Sequence, residues 1–116
     1  MANTFKIKSN AAMPASAGTP LTLYTCPGST TTVILGLICC NIDTSQRTVD
    51  VKIESNTNDT ETNETVFLTK DTPIPATSSL ELLAGNKVVL QATDVLKIDS
   101  DVTGKIDATL SIMEIT

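Results

Sequence analysis

Strict alternation of apolar and polar residues constrains this chain more than any other feature. In TVDVKIE, residues 48–54, Val49, Val51 and Ile53 fall in one phase and Asp50, Lys52 and Glu54 in the other. Successive side chains of a strand point to opposite faces, so this pattern is that of a half-buried β-strand. KIDATLSI, residues 105–112, repeats it with Ile106, Ala108, Leu110 and Ile112 on the inner face. Shorter versions occur in FKIK, with Phe5 and Ile7 expected inward, and in PLTLY, with Leu21 and Leu23 inward. No window carries a helical apolar stripe longer than two turns, and Thr, Val and Ile, which suit a pleated backbone, are abundant. The expectation is an all-β protein.

Strands are expected near residues 4–8, 20–26, 31–41, 47–54, 65–70, 79–84, 86–91, 94–99 and 105–115. Ala84 to Lys87, AGNK, forms a tight connection because Gly85 and Asn86 tolerate positive φ. Turn signals at intervals of about ten residues predict one domain over residues 1–116, an antiparallel two-sheet sandwich of eight or nine strands, jelly-roll or immunoglobulin-like. Two segments lack periodicity. Ser9 to Pro20 is expected to be an extended arm or connection, and Ser55 to Glu64, polar throughout, an exposed loop. The two prolines of TPIPATSSL, Pro73 and Pro75, suit a stiff crossover between sheets.

The run VILGLICC, Val33 to Cys40, is apolar without alternation, so both faces of that strand avoid water. One face meets the opposite sheet; the other needs a cover, either the Ser9–Pro20 segment or a second subunit. The ending raises the same question. The inward phase runs on even numbers through Ile112, yet Met113 and Ile115 are apolar on odd ones, which requires a bulge or a second apolar face.

The chain is poor in chemistry. Cys39 and Cys40, being adjacent in a strand, point to opposite faces and cannot share a site. With Cys26 they number three and there is no histidine, so a four-ligand zinc site cannot be completed and the thiols are expected to pack as small hydrophobes. Without histidine, no Ser-His or Cys-His nucleophile pair exists. The carboxylate pairs Asp99 with Asp101 and Glu61 with Glu64 lie in turn-like contexts and read as solvated charge. Asp99, Asp101 and Asp107 around Gly104 miss the regular calcium-loop spacing, and PGSTTT lacks the lysine of a phosphate loop. No catalytic, cofactor or metal site is therefore expected, and the chain is not expected to be an enzyme.

A net charge of −5, a single arginine (Arg47) and an aromatic content of 3% argue against nucleic-acid binding. No apolar run reaches the length of a membrane span or a leader peptide, so a chain made and used without export is expected, and the sequons at Asn58 and Asn63 then carry no glycan.

The segment DTPIPATSSLELLAGNKVVLQATDVLKIDS, residues 71–100, with the ending DATLSIMEIT, resembles small virion structural proteins of tailed bacteriophages, in particular those from phages of marine bacteria and cyanobacteria. Residues 1–14 and 29–54 resemble the same set. The run Pro73-Ile74-Pro75, then Ser78-Ser79-Leu80-Glu81, then Gly85 and Lys87, carries the likeness; Ala92-Thr93-Asp94 departs from it where an Ala-Gly-Asp turn is expected. The resemblance implies a β-sandwich structural subunit of a virion and leaves its place on the particle open. The first expectation is a capsid decoration or cement protein bound to the major capsid protein or other virion proteins by shape, by backbone pairing at sheet edges and by its N-terminal arm. Homo-oligomers, trimers foremost, without nucleic acid or membrane, are expected in particles assembled in the host cytoplasm. The alternative is a neck, tail, baseplate or fibre-attachment component, receptor-binding in one version.

Overall fold

A computed structural model describes residues 2–55, 62–83 and 85–116. Its strands are β1 (Asn3–Met13), β2 (Leu21–Thr25), β3 (Thr31–Asn41), β4 (Arg47–Glu54), β5 (Val66–Ile74), β6 (Ser79–Glu81), β7 (Val88–Leu90), β8 (Val95–Ser100) and β9 (Ile106–Ile115). Each lies within a few residues of its expected position. Residues 56–61 of the expected polar loop lie outside the described residues; Asn63 and Glu64, at its end, are exposed.

The strands pair in nested fashion about the β4–β5 connection: β1 with β9, β2 with β8, β3 with both β6 and β7, and β4 with β5, all antiparallel. Ladders between β9 and β3 and between β8 and β4 then weld these pairs into two sheets. Sheet A has the order β1-β9-β3-β6, with β7 also on β3, and sheet B the order β2-β8-β4-β5. This is a long hairpin wound into a jelly roll, with one strand position divided between β6 and β7. The immunoglobulin order, which keeps the first two strands in one sheet, does not apply.

The alternating strands supply the core. Val49 and Val51 of β4 and Leu96 and Ile98 of β8 are buried on the sheet B side, and Ile106, Ala108, Leu110 and Ile112 of β9, beside Ile34, Leu37 and Cys39 of β3, on the sheet A side. Burial of each large aliphatic side chain contributes about 1.5–3 kcal/mol. Leu23 and Tyr24 are both buried although adjacent, because a register shift in β2 between Thr22 and Tyr24 breaks the alternation there.

The two questions of phase have definite answers. β9 keeps continuous register through Met113, and the bulge lies in β3, where Leu35 is the extra residue between Ile34, opposite Ile112, and Gly36, opposite Ser111. Met113 and Ile115 therefore sit on the outer face of sheet A, and both faces are apolar. Phe5 and Ile7, expected inward, face outward. Their ladder partners are Met113 and Ser111, while Lys6 and Lys8 stand opposite the buried Ile112 and Leu110. β9 has four apolar side chains committed to the core and β1 has two candidates, so the phase of β9 prevails.

The Ser9–Pro20 segment divides. Ser9 to Met13 continue β1, and Pro14 to Pro20 form a connection held to the β8–β9 turn: the Gly104 N–H donates to the Pro14 carbonyl (2.9 Å), Ala17 N–H to Thr103 Oγ1 (3.0 Å) and Gly18 N–H to Asp99 Oδ1 (3.2 Å). It does not cover β3. Pro73 sits in β5, an edge strand, where a missing N–H is tolerated, and Pro75 to Ser78 carry the chain from sheet B to sheet A as a crossover. Asn41, fully buried, anchors this crossover. Its Nδ2 donates to the carbonyls of Ser45 (2.9 Å), Ile74 (3.0 Å) and Pro75 (3.3 Å), and its Oδ1 accepts from Asp43 N–H (2.9 Å).

Two tight turns follow the same plan. Asn86 N–H closes on the Leu83 carbonyl with Gly85 at φ 79°, and Asp94 N–H closes on the Gln91 carbonyl with Thr93 at φ 71°. A β-branched residue is strained in this region, and Thr93 is exposed, so its side chain recovers little by packing. Thr93→Gly is expected to stabilise the fold by about 0.5–1 kcal/mol, the relief of strain exceeding the added chain entropy. Thermal unfolding of the two proteins side by side measures it, and an unchanged or lowered midpoint would contradict the account.

Candidate interaction surface

The outer face of sheet A is built by the odd-numbered phase of β9 and its ladder partners. One row crosses four strands in direct register: Phe5, Met113, Val33 and Val89. Ile7 lies beside it at one edge and Ile38 further along β3. Phe5 is 72% exposed, Ile7 70%, Val89 55% and Ile38 48%. The same face carries two carboxylates at ladder positions among the described residues, and both are engaged. Glu81, opposite Ile38, accepts from Leu37 N–H at 2.8 Å and from Gly85 N–H at 3.0 Å, tying the bulge of β3 to the β6–β7 turn. Asp107 accepts from Ala12 N–H at 2.7 Å. Among the described residues, no Lys or Arg occupies a ladder position on this face.

The outer face of sheet B has the opposite character. Asp50 stands opposite Asp99 and Lys52 opposite Lys97. Glu54 takes both lysines, at 3.6 Å and 3.3 Å, and Lys70 approaches Asp50 at 3.8 Å while lying 4.8 Å over the Phe67 ring. This is a hydrated, ion-paired surface. Phe67, opposite Lys52 and half-exposed, is apolar on this otherwise charged face, whereas the outer face of sheet A is predominantly apolar.

At one margin the edge strands of the two sheets, β1 and β2, leave a groove of about 470 Å³ lined by Lys6, Ile7, Lys8, Leu23, Tyr24 and Glu114, among others. Glu114 continues the inward phase of β9 where the core gives out, so it is buried and fully partnered: Lys6 Nζ lies 2.7 Å from Oε1, and Tyr24 donates its phenol to Oε2 at 2.6 Å. The Tyr24 hydroxyl also meets Thr32 Oγ1 at 2.8 Å, which in turn meets Cys26 Sγ at 3.2 Å. The Lys6 ammonium, then the Tyr24 hydrogen bond, hold the Glu114 carboxyl below its usual range. Burial, and next the hydrogen bond to Glu114, push the Tyr24 phenol up. Sequence reading missed this chain because its members are scattered from residue 6 to residue 114; the polar Glu114 within an apolar phase was the available signal.

The residues weighed for chemistry lie apart. Cys26 and Cys39 are buried and Cys40 is half-buried on the opposite face from Cys39, all as free thiols. Burial, helped by the neighbouring Cys40 and Glu81, pushes the Cys39 thiol up to about 12, far from a reactive thiolate. Asp99, Asp101, Asp50 and Asp71 line a shallow groove of about 350 Å³, and three of the carboxylates serve backbone donors: Asp99 takes Gly18 and Ser100 N–H, Asp101 takes Thr48 N–H and Asp50 takes Asp71 N–H. Asp107 is bound to Ala12 instead. Glu61 lies outside the described residues.

No protein-family model matches the chain, and no curated protein matches it either.

The folded Glu114 carboxyl titrates below its ordinary value of 4.5, so its stabilising effect is complete above about pH 4.5 and is lost as pH falls through the lower, folded value. Glu114→Gln is expected to cost about 1–2 kcal/mol at neutral pH, a charged hydrogen-bond acceptor being lost beside Lys6. It should also flatten the acid limb of a plot of unfolding midpoint against pH. Parallel limbs in the two proteins would exclude this role.

Proposed function

We propose that the chain is a non-catalytic structural subunit of a bacteriophage virion, a decoration or cement protein that reinforces the capsid by binding the major capsid protein. The observation that carries this reading is the outer face of sheet A, where the row Phe5–Met113–Val33–Val89 leaves apolar side chains in water and the two carboxylates are already bonded to backbone. A face so depleted of free charge suits a permanent interface better than a transient one, because obligate interfaces are the more apolar. The jelly roll suits such work, since closed hairpin pairing leaves a rigid plate to be used in many copies. The resemblance of residues 71–100 and 107–116 to phage virion proteins supplies the setting. Within the particle, copies pack sheet A against one another, as trimers around local symmetry axes, and the charged face of sheet B meets solvent.

Light scattering after size exclusion is expected to give the mass of a trimer, and Val33→Asp or Met113→Asp, each placing a carboxylate in the apolar row, the mass of a monomer with unchanged circular dichroism. Monomeric wild-type protein would remove the self-packing part of the proposal. Counting copies in purified particles from the source lysate tests the location: hundreds per particle for a cement, about six to a few dozen for a neck or tail ring. Its absence from particles would overturn the virion reading.

A further inference from the structure

Ala2 and Thr116 exchange both backbone hydrogen bonds, at 3.0 Å and 2.9 Å. Hydrogen-bonded and non-hydrogen-bonded pairs alternate along an antiparallel ladder. In the unbroken register from Asn3–Ile115 to Asn10–Ala108, Thr4, Lys6, Lys8 and Asn10 therefore bond to β9, and Asn3, Phe5, Ile7 and Ser9 turn their N–H and C=O groups away from it. β1 is the edge of sheet A, so these groups form a hydrogen-bonding row without strand partners among the described residues. The first register shift comes only after Asn10. A long, regular edge of this kind is the template that strand addition uses.

The two faces of β1 specify what could be added. Outward are Phe5 and Ile7; on the groove side are Lys6 and Lys8, two of the eight basic residues of a chain with net charge −5. Lys6 is paired with Glu114 yet its side chain is 53% exposed, and Lys8 has no ion pair among the described residues. A second copy of β1 is a poor occupant. Its longest two-fold pairing, with Phe5 opposite Ile7, sets two copies of Lys6 directly against each other, and like charges across a ladder are unfavourable.

We propose that the free edge of β1 is a docking site for an extended segment of a partner protein with alternating acidic and apolar residues, which joins sheet A as an additional strand. Its backbone pairs with Asn3, Phe5, Ile7 and Ser9. Its apolar side chains continue the Phe5–Met113–Val33–Val89 row, and its carboxylates lie over Lys6 and Lys8 at the mouth of the groove between β1 and β2. This deepens the virion reading, on which it rests for the partner's setting; the chemistry of the edge stands on the ladder and the charges.

The test uses the full chain and two fluorescein-labelled peptides of symmetric sequence, TVEVEVT and TVKVKVT, with anisotropy as readout. The glutamate peptide is expected to bind at least about tenfold more tightly than the lysine peptide, and less tightly as salt is raised. Ile7→Pro removes a donor that β9 does not use, so the fold should persist while binding falls about tenfold or more. Lys8→Glu, which leaves the backbone intact, should reverse the preference between the peptides. Equal binding of both peptides, no binding of either, or wild-type binding by the proline variant would overturn the proposal. So would a fall in solution mass on Ile7→Pro without loss of peptide binding, which would assign the edge to a second copy. Each outcome is read on purified protein and is independent of the copy count in particles, so this site and the virion role can fail separately.

Discussion

Sheet A is held by β9. Its ten residues bond to β1 on one side and β3 on the other, and its even-numbered side chains, Ile106 to Ile112, run down the middle of the core. Every other assignment in the sheet follows from that phase. It sends Lys6 and Lys8 inward and Phe5 and Ile7 outward, and requires β3 to absorb an extra residue at Leu35 so that both Ile34 and Leu37 reach the core. Leu37 turns its backbone toward the gap between β6 and β7, where Leu82 N–H donates to its carbonyl and Glu81 accepts from its N–H. The partners of β9 are more than sixty residues distant in sequence on either account, so the sheet is built almost wholly from non-local pairing, the arrangement that folds slowly.

Local pattern was enough to read the strands. β4 and β9 announce themselves by alternation, and the two-faced apolarity of Val33 to Cys40 and of Met113 and Ile115 pointed to an outer surface that avoids water. Partnership was not legible, because alternation says which residues share a face and nothing about which strand lies alongside. The jelly-roll order, the bulge and the groove between β1 and β2 all depend on partnership. FKIK shows the limit most clearly. Two apolar residues in four cannot reveal which face is inside, and the inward lysine is explained only by Glu114, which lies at the far end of the sequence. The turn at Thr93 takes a positive φ that a glycine would adopt more easily.

The acidic residues are distributed by function within the fold. On sheet B, Glu54 neutralises two lysines on neighbouring strands. Around the β8–β9 turn, Asp99, Asp101 and Asp107 receive backbone N–H groups from the segments that pass over them, which fastens the β1–β2 connection and the start of β4 to the body. These carboxylates act as loop ties. Carboxylates make stronger bonds to such donors than neutral acceptors do.

The apolar row on sheet A draws on residues 5, 33, 89 and 113, one from each of four strands brought together by winding. No contiguous piece of the sequence contains it. A chain still searching for its fold has these side chains dispersed, and presents no such face. The surface comes into being only when the last of the four strands locks in place, so a molecule with one strand misplaced does not carry it.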